Sequence, residues 1–472
     1  MKTRWLALVA LVLAAVAGRT QSFTNLYNFS AYNPSSVTNS DGANPRDGLV
    51  VAGGVLYGTT QNGGLNGEGT VFALPTTGNG FTNLHSFAST TGLNSDGARP
   101  TGRLLLSGST LYGTAPNGGT NGNGVVFSLL TNGTDFVTLF AFPPSLLDTG
   151  VGAATNDDGI LPHAGLSLYN DVLYGTAING GLGGWGTVFG LGTNGANFDN
   201  LHGFNDSDGG NPIAGVALSG TNLYGATIVG GNGFGALFAV GTNGTGFTNI
   251  YMFNGSDGYY PYGDLLVYSN HLYGTTVYGG KNGAGTIFRI GLSGAGYTNL
   301  YNFSSPSANN QGTSTNADGF NPYAGLTLVG NLLYGVTTSG GLFGEGTVFA
   351  ASLDGLTFFN LHNFTAVGGA SNANSDGANP YGALVYANGV LYDTTQNGGT
   401  HGNGAIFGLT LPAPALNIQL SGTNVILSWS TPGYSLQAAT NVTGIYTNLP
   451  GATSPHTNAA SSSQLFFRLE SD

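Results

Sequence analysis

An Asp-Gly-x-x-Pro turn recurs seven times along the chain, and its aspartate is the most regular carboxylate in the sequence. The seven aspartates are Asp41, Asp96, Asp158, Asp208, Asp257, Asp318 and Asp376. Calcium takes about six to eight oxygen ligands, usually with several carboxylates, whereas most copies offer one carboxylate and place proline where another ligand would be expected. An Asx turn explains the same residues, because aspartate bonds its own backbone, glycine accepts a positive φ and proline stiffens the exit. The turn is the favoured interpretation, and a calcium loop is the alternative.

The sequence offers few residues for general acid–base catalysis or for binding a metal. After residue 17 the only glutamates are Glu68, Glu345 and Glu470, and a glycosidase needs two carboxyl groups roughly 5–10 Å apart. Three histidines replace Tyr or Phe in a repeated strand, the other four share no ligand spacing, and cysteine is absent. No nucleophile-elbow motif occurs, and glycine-rich loops such as "GGLNGEG" lack the helix of a phosphate loop. We therefore predict no catalytic residue, no metal and no cofactor.

Seven copies of one unit organise most of the chain. The first reads "LYGTTQNGGLNGEGTVFAL" from Leu56, the last reads "LYDTTQNGGTHGNGAIFGL" from Leu391, and successive copies start 49 to 62 residues apart. A strand motif, "FTNLYNF" at 23–29, and the Asp-Gly turn keep step with this unit. Each unit holds four short runs of β-branched and aromatic residues separated by Gly, Asn and Asp. This pattern is typical of propeller blades, and it predicts an all-β fold with a seven-bladed β-propeller of four-stranded blades.

The phase of the repeats predicts how the ring closes. The chain begins with an "FTNL" strand that has no preceding partner, and the repeats end with "GAIFGL" (404–409), which has no following partner. Pairing the N-terminal strand, residues 23–29, with residues 404–409 completes the seventh blade and removes an exposed sheet edge. We predict the propeller over residues 23–410, a proline-rich linker over 411–415 and a small fibronectin-like β-sandwich over 416–472.

The N-terminal segment and the overall charge indicate where the protein works. Residues 1–17 have the charged start, apolar run and Ala-Val-Ala end of a secretory signal peptide. No later apolar run approaches the roughly 20 residues of a bilayer span. Only 6% of residues are charged, and the net charge is −12. This composition does not predict a basic surface that binds nucleic acid. We expect a monomeric protein, secreted (extracellular) or associated with the cell surface, whose partner is a polysaccharide or a surface protein.

The repeated units resemble the GloVer tandem repeat of exported bacterial proteins. Six copies meet that family's "YGTT…GG…G.GTVF" core almost fully, although the fourth is one residue shorter, and the seventh has Asp393 in place of glycine. The resemblance covers about residues 23–410. It implies a secreted or surface propeller followed by a variable module for anchoring or sorting, and it implies no activity and no catalytic residues.

One position of each unit varies inside a constant frame of glycines. This position holds Glu68, Asn123, Trp185, Phe234, Ala284, Glu345 and Asn403. Ligand sites favour loops on rigid supports, so we predict that these residues, apart from Ala284, bind the ligand, with Trp185 and Phe234 stacking on an apolar or sugar face. The alternative is that they cover the rim of the core. The predicted function is non-enzymatic binding or scaffolding toward carbohydrate or protein, and the alternative is a polysaccharide-active hydrolase or lyase.

Overall fold

The chain is all-β in the computed structural model, as predicted from the sequence. The structure describes residues 21–471 except 34–35, 91–93, 149–152, 310–311, 413–415, 422–423, 430–433, 442, 450–451, 453 and 460–464. The predicted signal peptide, residues 1–17, lies outside the described residues. Within them there is no helix, and hence none that could cross a membrane. Two compact units are present: Phe23–Leu409, and a second that contains Thr410–Asp472.

Seven four-stranded sheets form the framework of the larger unit within the described residues. Sheet 1 consists of Val50–Ala52, Val55–Thr60, Thr70–Pro75 and Thr82–Ser86. Sheet 2 consists of Leu105–Ser107, Thr110–Ala115, Val125–Leu130 and Val137–Ala141. Sheet 3 consists of Ser167–Tyr169, Val172–Ala177, Thr187–Gly192 and Asp199–Gly203. Sheet 4 consists of Ala217–Ser219, Asn222–Thr227, Ala236–Gly241 and Thr248–Met252.

The remaining three sheets repeat this order of strands. Sheet 5 consists of Leu266–Tyr268, His271–Thr276, Thr286–Gly291 and Thr298–Asn302. Sheet 6 consists of Thr327–Val329, Leu332–Thr337, Thr347–Ser352 and Phe358–Asn363. Sheet 7 consists of Val385–Ala387, Val390–Thr395, Ala405–Thr410 and, as its fourth strand, Ser22–Asn28. Neighbouring strands of sheets 1 to 6 are antiparallel.

Shorter strands lie in two loops and in the second unit. A three-stranded sheet joins Leu146–Asp148, Ala153–Ile160 and Asn179–Gly181, and Ser307–Ala308 pairs with Ser314–Thr315. The second unit has two three-stranded sheets. One contains Leu416–Ser421, Asn424–Trp429 and His456–Ala459, and the other contains Tyr434–Ala439, Thr447–Asn448 and Phe466–Ser471.

The central hairpin of each sheet in the larger unit is buried. In sheet 1 it pairs Tyr57 with Ala73 and Gly58 with Phe72, and nearly all its residues are inaccessible to solvent. A fully buried strand is a continuous apolar run, which explains why "LYGTT" and "GTVFAL" contain no charged residue. Glycine is required at position 58, because a Cβ there would lie 2.6 Å from Cζ of Phe72.

Aromatic side chains fill the space between neighbouring sheets. Between sheets 1 and 2, Phe87 and Phe127 lie edge to face with ring centroids 5.4 Å apart, and Phe136 stacks on His85 at 3.9 Å. Phe87 and Phe127 are fully buried, and full burial of such a side chain stabilises the fold by about 1.5–3 kcal/mol. Because each aromatic cluster belongs to two sheets, the stability of one sheet depends on its neighbour.

The first and last strands of the larger unit belong to the same sheet. Ser22–Asn28 lies beside Ala405–Thr410, and the N–H of Phe29 donates to the carbonyl of Gly404 at 3.2 Å. Phe29 is fully buried. The two copies of "NSDGANP" lead into sheet 1 and into sheet 7, and sheet 7 contains both ends of this unit.

Candidate functional site

We call the seven residues that stand within the glycine frames the predicted ring, and each of them links its own sheet to the next through the backbone. Its carbonyl accepts a hydrogen bond from the N–H of the residue that precedes the proline of the next Asp-Gly-x-x-Pro turn. The N···O distances are 2.7–3.2 Å. The acceptor–donor pairs are Glu68–Arg99, Asn123–Leu161, Trp185–Asn211, Phe234–Tyr260, Ala284–Asn321, Glu345–Asn379 and Asn403–Asn44. The last pair connects sheet 7 to sheet 1, so the seven bonds form a closed cycle.

The polar side chains of the predicted ring fasten the loop that follows their own sheet. The contacts are Glu68 Oε1 with Thr90 Oγ1 (2.7 Å), Asn123 Nδ2 with Pro143 O (2.5 Å) and Asn403 Nδ2 with Ser30 O (2.6 Å). The carboxylate of Glu68 also pairs with Nε of Arg99 at 3.1 Å. Burial raises the pKa of the half-buried Glu345 carboxyl.

The two aromatic side chains of the predicted ring are half-buried and pack on the body of the protein. Trp185 packs against the apolar cluster that contains Phe204 and Phe238, and the ring of Phe234 lies edge to face with that of Tyr259 at 5.8 Å. The cleft that Glu68 lines includes no other member of the predicted ring. A ligand-binding role for Glu68, Asn123, Trp185, Phe234, Glu345 and Asn403 therefore stays a prediction.

A different position of the repeat lines a cavity in the larger unit. The residues that directly follow the seven repeat prolines are Arg46, Thr101, His163, Ile213, Tyr262, Tyr323 and Tyr381, and all of them line this cavity. We call these seven residues the proline ring. The cavity has a volume of ≈ 50 Å³, and one water needs about 10–15 Å³ by this measure. It therefore admits a few water molecules or one small polar group between the larger side chains that line it.

Close backbone packing brings the proline ring together. The first strands of sheets 1 and 7, 6 and 7, and 4 and 5 contact each other. The first threonine of "LYGT" donates across to the next sheet, in the bonds Thr114–Ala164 O (2.7 Å), Thr176–Ala214 O (2.9 Å) and Thr275–Ala324 O (2.9 Å). At Gly102 a Cβ would lie 2.5 Å from the carbonyl oxygen of Ala164. Small residues thus hold the strands close, and the larger side chains around the cavity come from the position after the proline.

Three tyrosines and one arginine form a cluster at the cavity. The rings of Tyr262 and Tyr323 are 4.9 Å apart, and those of Tyr323 and Tyr381 are 5.1 Å apart. The guanidinium of Arg46 lies over the ring of Tyr381 at 5.4 Å, and its Nη2 is 3.4 Å from the hydroxyl of Tyr262. This cluster offers aromatic faces, hydroxyl groups and one cation to a ligand.

His163 completes this side of the cavity as a neutral group. Its Nδ1 lies 3.0 Å from Oγ1 of Thr101. Burial, helped by the charge of Arg46, lowers the pKa of His163 to about 4. The imidazole is therefore uncharged at neutral pH and can either donate or accept a hydrogen bond.

Two carboxyl groups also line the cavity. Asp47 accepts hydrogen bonds from the N–H groups of Gly48 (2.6 Å) and Arg103 (2.7 Å), and Asp264 accepts one from Gly215 (2.7 Å). Burial raises the pKa of both carboxyls, and the proximity of Asp264 raises that of Asp47 further. These groups are suited to hydrogen bonding with hydroxyl groups.

The sequence marks the proline ring only by a variable position after a constant proline. Five residue types, with tyrosine three times, follow the seven constant prolines, and five types, with glutamate and asparagine twice each, stand within the glycine frames. Only the packing of the first strands shows that the residues after the prolines meet at one cavity, whereas the residues within the glycine frames do not.

The aspartates of six Asp-Gly turns contact donor groups of the protein, and none of the seven lines the cavity. The phenol of Tyr27 donates to Asp41 at 2.7 Å, and that of Tyr251 donates to Asp257 at 2.6 Å. Histidine takes the place of tyrosine in the pairs His85–Asp96 (2.9 Å), His202–Asp208 (3.2 Å) and His362–Asp376 (3.0 Å). These contacts favour the structural interpretation of the turn, because they occupy carboxylate oxygens that a calcium ion would need.

The asparagine of "NSDGANP" fastens the same loop. Nδ2 of Asn374 donates to the carbonyls of Thr365 and Gly377, and its Oδ1 accepts from the N–H groups of Gly377 and Gly399, all at 2.7–2.9 Å. Asn39 makes the corresponding four bonds at the other copy. One side chain thus satisfies four backbone groups, and this explains why the motif recurs with these residues.

Comparison with known proteins agrees with the repeat pattern. The sequence model described as the Gloeobacter/Verrucomicrobia repeat matches residues 17–161 and 147–316, which is more than half of the 472 residues. The chain belongs to this repeat family. No curated protein matches it.

Several solved structures are similar to this chain at low sequence identity. An oligogalacturonate lyase in complex with manganese is 11% identical over 84% of this chain and 97% of that one, with a TM-score of 0.46. A puromycin-hydrolyzing peptidase of Mycobacterium tuberculosis is 12% identical over 77% of this chain and 51% of that one, with a TM-score of 0.45. A nidogen/laminin complex is 15% identical over 52% of this chain and 74% of that one, with a TM-score of 0.34. At these levels the similarities say nothing about activity.

Proposed function

We propose that this repeat protein is a non-enzymatic ligand-binding protein built on a seven-bladed propeller, and that it works outside the cell or at its surface. In this arrangement sheets 1 to 7 are the blades, and the N-terminal strand closes the ring. The cycle of seven N–H···O bonds between consecutive sheets supports closure, because the seventh bond runs from Asn44 to Asn403 and joins the two ends.

The proline ring is the ligand site of this proposal, and its composition is the observation that carries it. A constant frame of proline, small residues and threonine holds seven residues that include three tyrosines, an arginine and a histidine around one cavity. Ligand sites combine apolar or aromatic walls with a few convergent polar groups. Tyrosine faces flanked by hydroxyl, carboxyl and guanidinium groups suit the apolar and hydroxylated faces of a sugar.

Export and surface association complete the proposal and rest on the sequence. Residues 1–17 act as a secretory signal peptide, and residues 416–472 act as a small β-sandwich that anchors or sorts the protein. N-terminal sequencing of the protein from the culture medium or the cell envelope tests the first point. Detection of residue 1 in the exported protein would contradict cleavage.

A glycan and polysaccharide array tests the binding function. The full chain without its signal peptide is compared with Tyr323→Ala and with a matched control, Tyr268→Ala, which removes a tyrosine that is 40% exposed and does not line the cavity. We expect binding that the first substitution weakens at least tenfold and the control leaves unchanged. Equal binding by all three proteins would remove the proline ring from consideration, and release of reducing ends or unsaturated products would establish an enzyme instead.

A further inference from the structure

Arg46 has no acidic partner in the part of the chain that the structure describes, although it is half-buried and lines the cavity. Among the described residues, no carboxylate oxygen lies within 4.0 Å of its guanidinium. Its contacts are the ring of Tyr381 and a long hydrogen bond to Tyr262, and both groups are neutral. A guanidinium has five N–H donors, so most of its donor capacity is available to a ligand.

The nearby carboxyl groups form no ion pair with this cation within 4.0 Å in the described part of the chain. Asp47, the next residue in the chain, is held by the N–H groups of Gly48 and Arg103. Asp264 is held by the N–H of Gly215. His163, which the charge of Arg46 does influence, is neutral. Arg46 is therefore the one charged member of the proline ring, and burial favours the uncharged forms of Asp47 and Asp264, which line the same cavity.

We propose that the proline ring binds the carboxylate of a sugar acid, with the carboxylate on Arg46 and the sugar ring against Tyr323 and Tyr381. This inference rests on the proposed function and names the class of ligand for the same site. The planar fork of arginine matches a carboxylate through two parallel hydrogen bonds, and tyrosine faces carry the apolar side of a pyranose ring.

The size of the cavity determines the orientation of the ligand. A volume of ≈ 50 Å³ accepts a carboxylate group but not a whole sugar ring. The acid group therefore enters the cavity, and the sugar ring stays outside it, against the tyrosine side chains that line it.

The charge of the protein limits how much of a polymer is recognised. The chain has a net charge of −12, and a long polyanion would be repelled over much of its surface. One carboxylate can still bind where a single guanidinium faces it. The site consequently recognises a terminal uronic acid on an oligosaccharide and not the length of an acidic polysaccharide.

Isothermal titration calorimetry with the full chain, without its signal peptide, tests this inference. The probes are two acidic disaccharides, cellobiouronic acid and digalacturonic acid, with cellobiose as the neutral counterpart and acetate as the carboxylate alone. We expect at least one acidic disaccharide to bind more than about tenfold tighter than cellobiose, and acetate to bind much more weakly. Failure of both acidic probes to bind more tightly than cellobiose would overturn the inference.

Two substitutions assign the preference to Arg46. Arg46→Gln should remove the difference between acidic and neutral disaccharides, whereas Lys281→Gln, the same charge change at an exposed site, should leave it intact. Thermal melting verifies that both variants are folded. A preference that survives Arg46→Gln would overturn the inference, and so would acetate binding as tightly as the acidic disaccharides, because that would show a general anion site.

The outcome separates this inference from the proposed function. Neutral sugars that bind in a manner dependent on Tyr323, without any preference for acids, would keep the function and refute the sugar-acid ligand. Binding that depends on neither Tyr323 nor Arg46 would refute both.

Discussion

At the scale of single residues, Asp393 departs most sharply from the repeat. It replaces the glycine that the other six copies have in the second strand, it is fully buried, and neither carboxylate oxygen has a hydrogen-bond partner among the described residues. Burial raises the pKa of Asp393 well above its usual range, and Asp47 adds to the rise. An unsatisfied buried polar group destabilises a fold by about 1–3 kcal/mol.

We therefore expect Asp393→Gly to stabilise the protein. Removal of the carboxyl should outweigh the conformational cost of glycine, and the free energy of unfolding should rise by about 1–2 kcal/mol. Denaturant unfolding measures the change. The converse substitution Gly335→Asp, where a Cβ would meet Cζ of Phe349 at 2.5 Å, should destabilise sheet 6. Lower stability of Asp393→Gly would show that the carboxyl has a favourable partner.

Asp47 makes the stability of the protein depend on pH. Burial, followed by repulsion from Asp264, raises the pKa of its carboxyl from the ordinary 3.8 to about 7. Between these values the unfolded chain releases the proton while the folded protein keeps it. The contribution of a protonated Asp47 to stability is therefore fully present below pH of about 4 and is lost as the pH rises toward about 7.

Asp47→Asn should remove this dependence, because an amide does not titrate. The free energy of unfolding of the variant relative to the wild type should rise between pH of about 4 and about 7 and then level off. Chemical unfolding at a series of pH values measures this difference. For Asp354→Asn we expect the opposite change with pH in the free energy of unfolding relative to the wild type, because a hydrogen bond from Ser352 lowers the pKa of Asp354. A difference for Asp47→Asn that is independent of pH would contradict the prediction.

At the scale of elements, the turn before each repeat proline joins neighbouring sheets. The residue before the proline has a positive φ of 53–63° in all seven copies, a conformation that asparagine tolerates better than larger side chains. Four asparagines at this position also donate to the preceding sheet, in the bonds Asn44–Gln396 O, Asn211–Ile178 O, Asn321–Val277 O and Asn379–Thr338 O. Arginine, leucine and tyrosine occupy the other three copies.

Leu161→Asn should consequently stabilise the turn into sheet 3. Asparagine relieves the strain of leucine at a φ of 62° and can donate to the carbonyl of Pro116, which is the equivalent acceptor in the repeat. We expect a gain of about 1 kcal/mol in the free energy of unfolding. The reverse change, Asn379→Leu, should cost at least as much. Unfolding curves that do not separate the two variants would refute this account of the turn.

The sequence predicts the elements better than it predicts the site. Strand boundaries follow from apolar runs between glycine and asparagine, and "GTVFAL" at 69–74 corresponds to the observed strand Thr70–Pro75. The glycine frames around Trp185 and its counterparts mark a variable position correctly. The direction of a side chain, however, depends on how neighbouring sheets pack. No local sequence pattern therefore predicts that the residues after the prolines meet at one cavity.

At the scale of the whole molecule, the two ends of the larger unit meet in one sheet without a covalent link. Phe23 stacks on His362 with ring centroids 3.8 Å apart, and the side chain of Asn25 donates to the carbonyl of Ser375 at 2.8 Å. Phe29 packs into the cluster that contains Phe72 and Ile406. Because Ser22–Asn28 is an edge strand, its removal need not break any other strand pairing.

Deletion of residues 23–29 from the full chain should lower the melting temperature sharply, because the deletion exposes the edge of Ala405–Thr410 and leaves a cavity where Phe29 was buried. The loss of Phe29 alone corresponds to about 3–5 kcal/mol. A synthetic peptide of residues 21–33 should bind the shortened protein and restore most of the melting temperature, since stability gained by binding rises with peptide concentration. A peptide with the same residues in scrambled order is the control. A melting temperature unchanged by the deletion would contradict closure of the ring by this strand, and equal recovery with the scrambled peptide would show that the gain does not come from strand pairing.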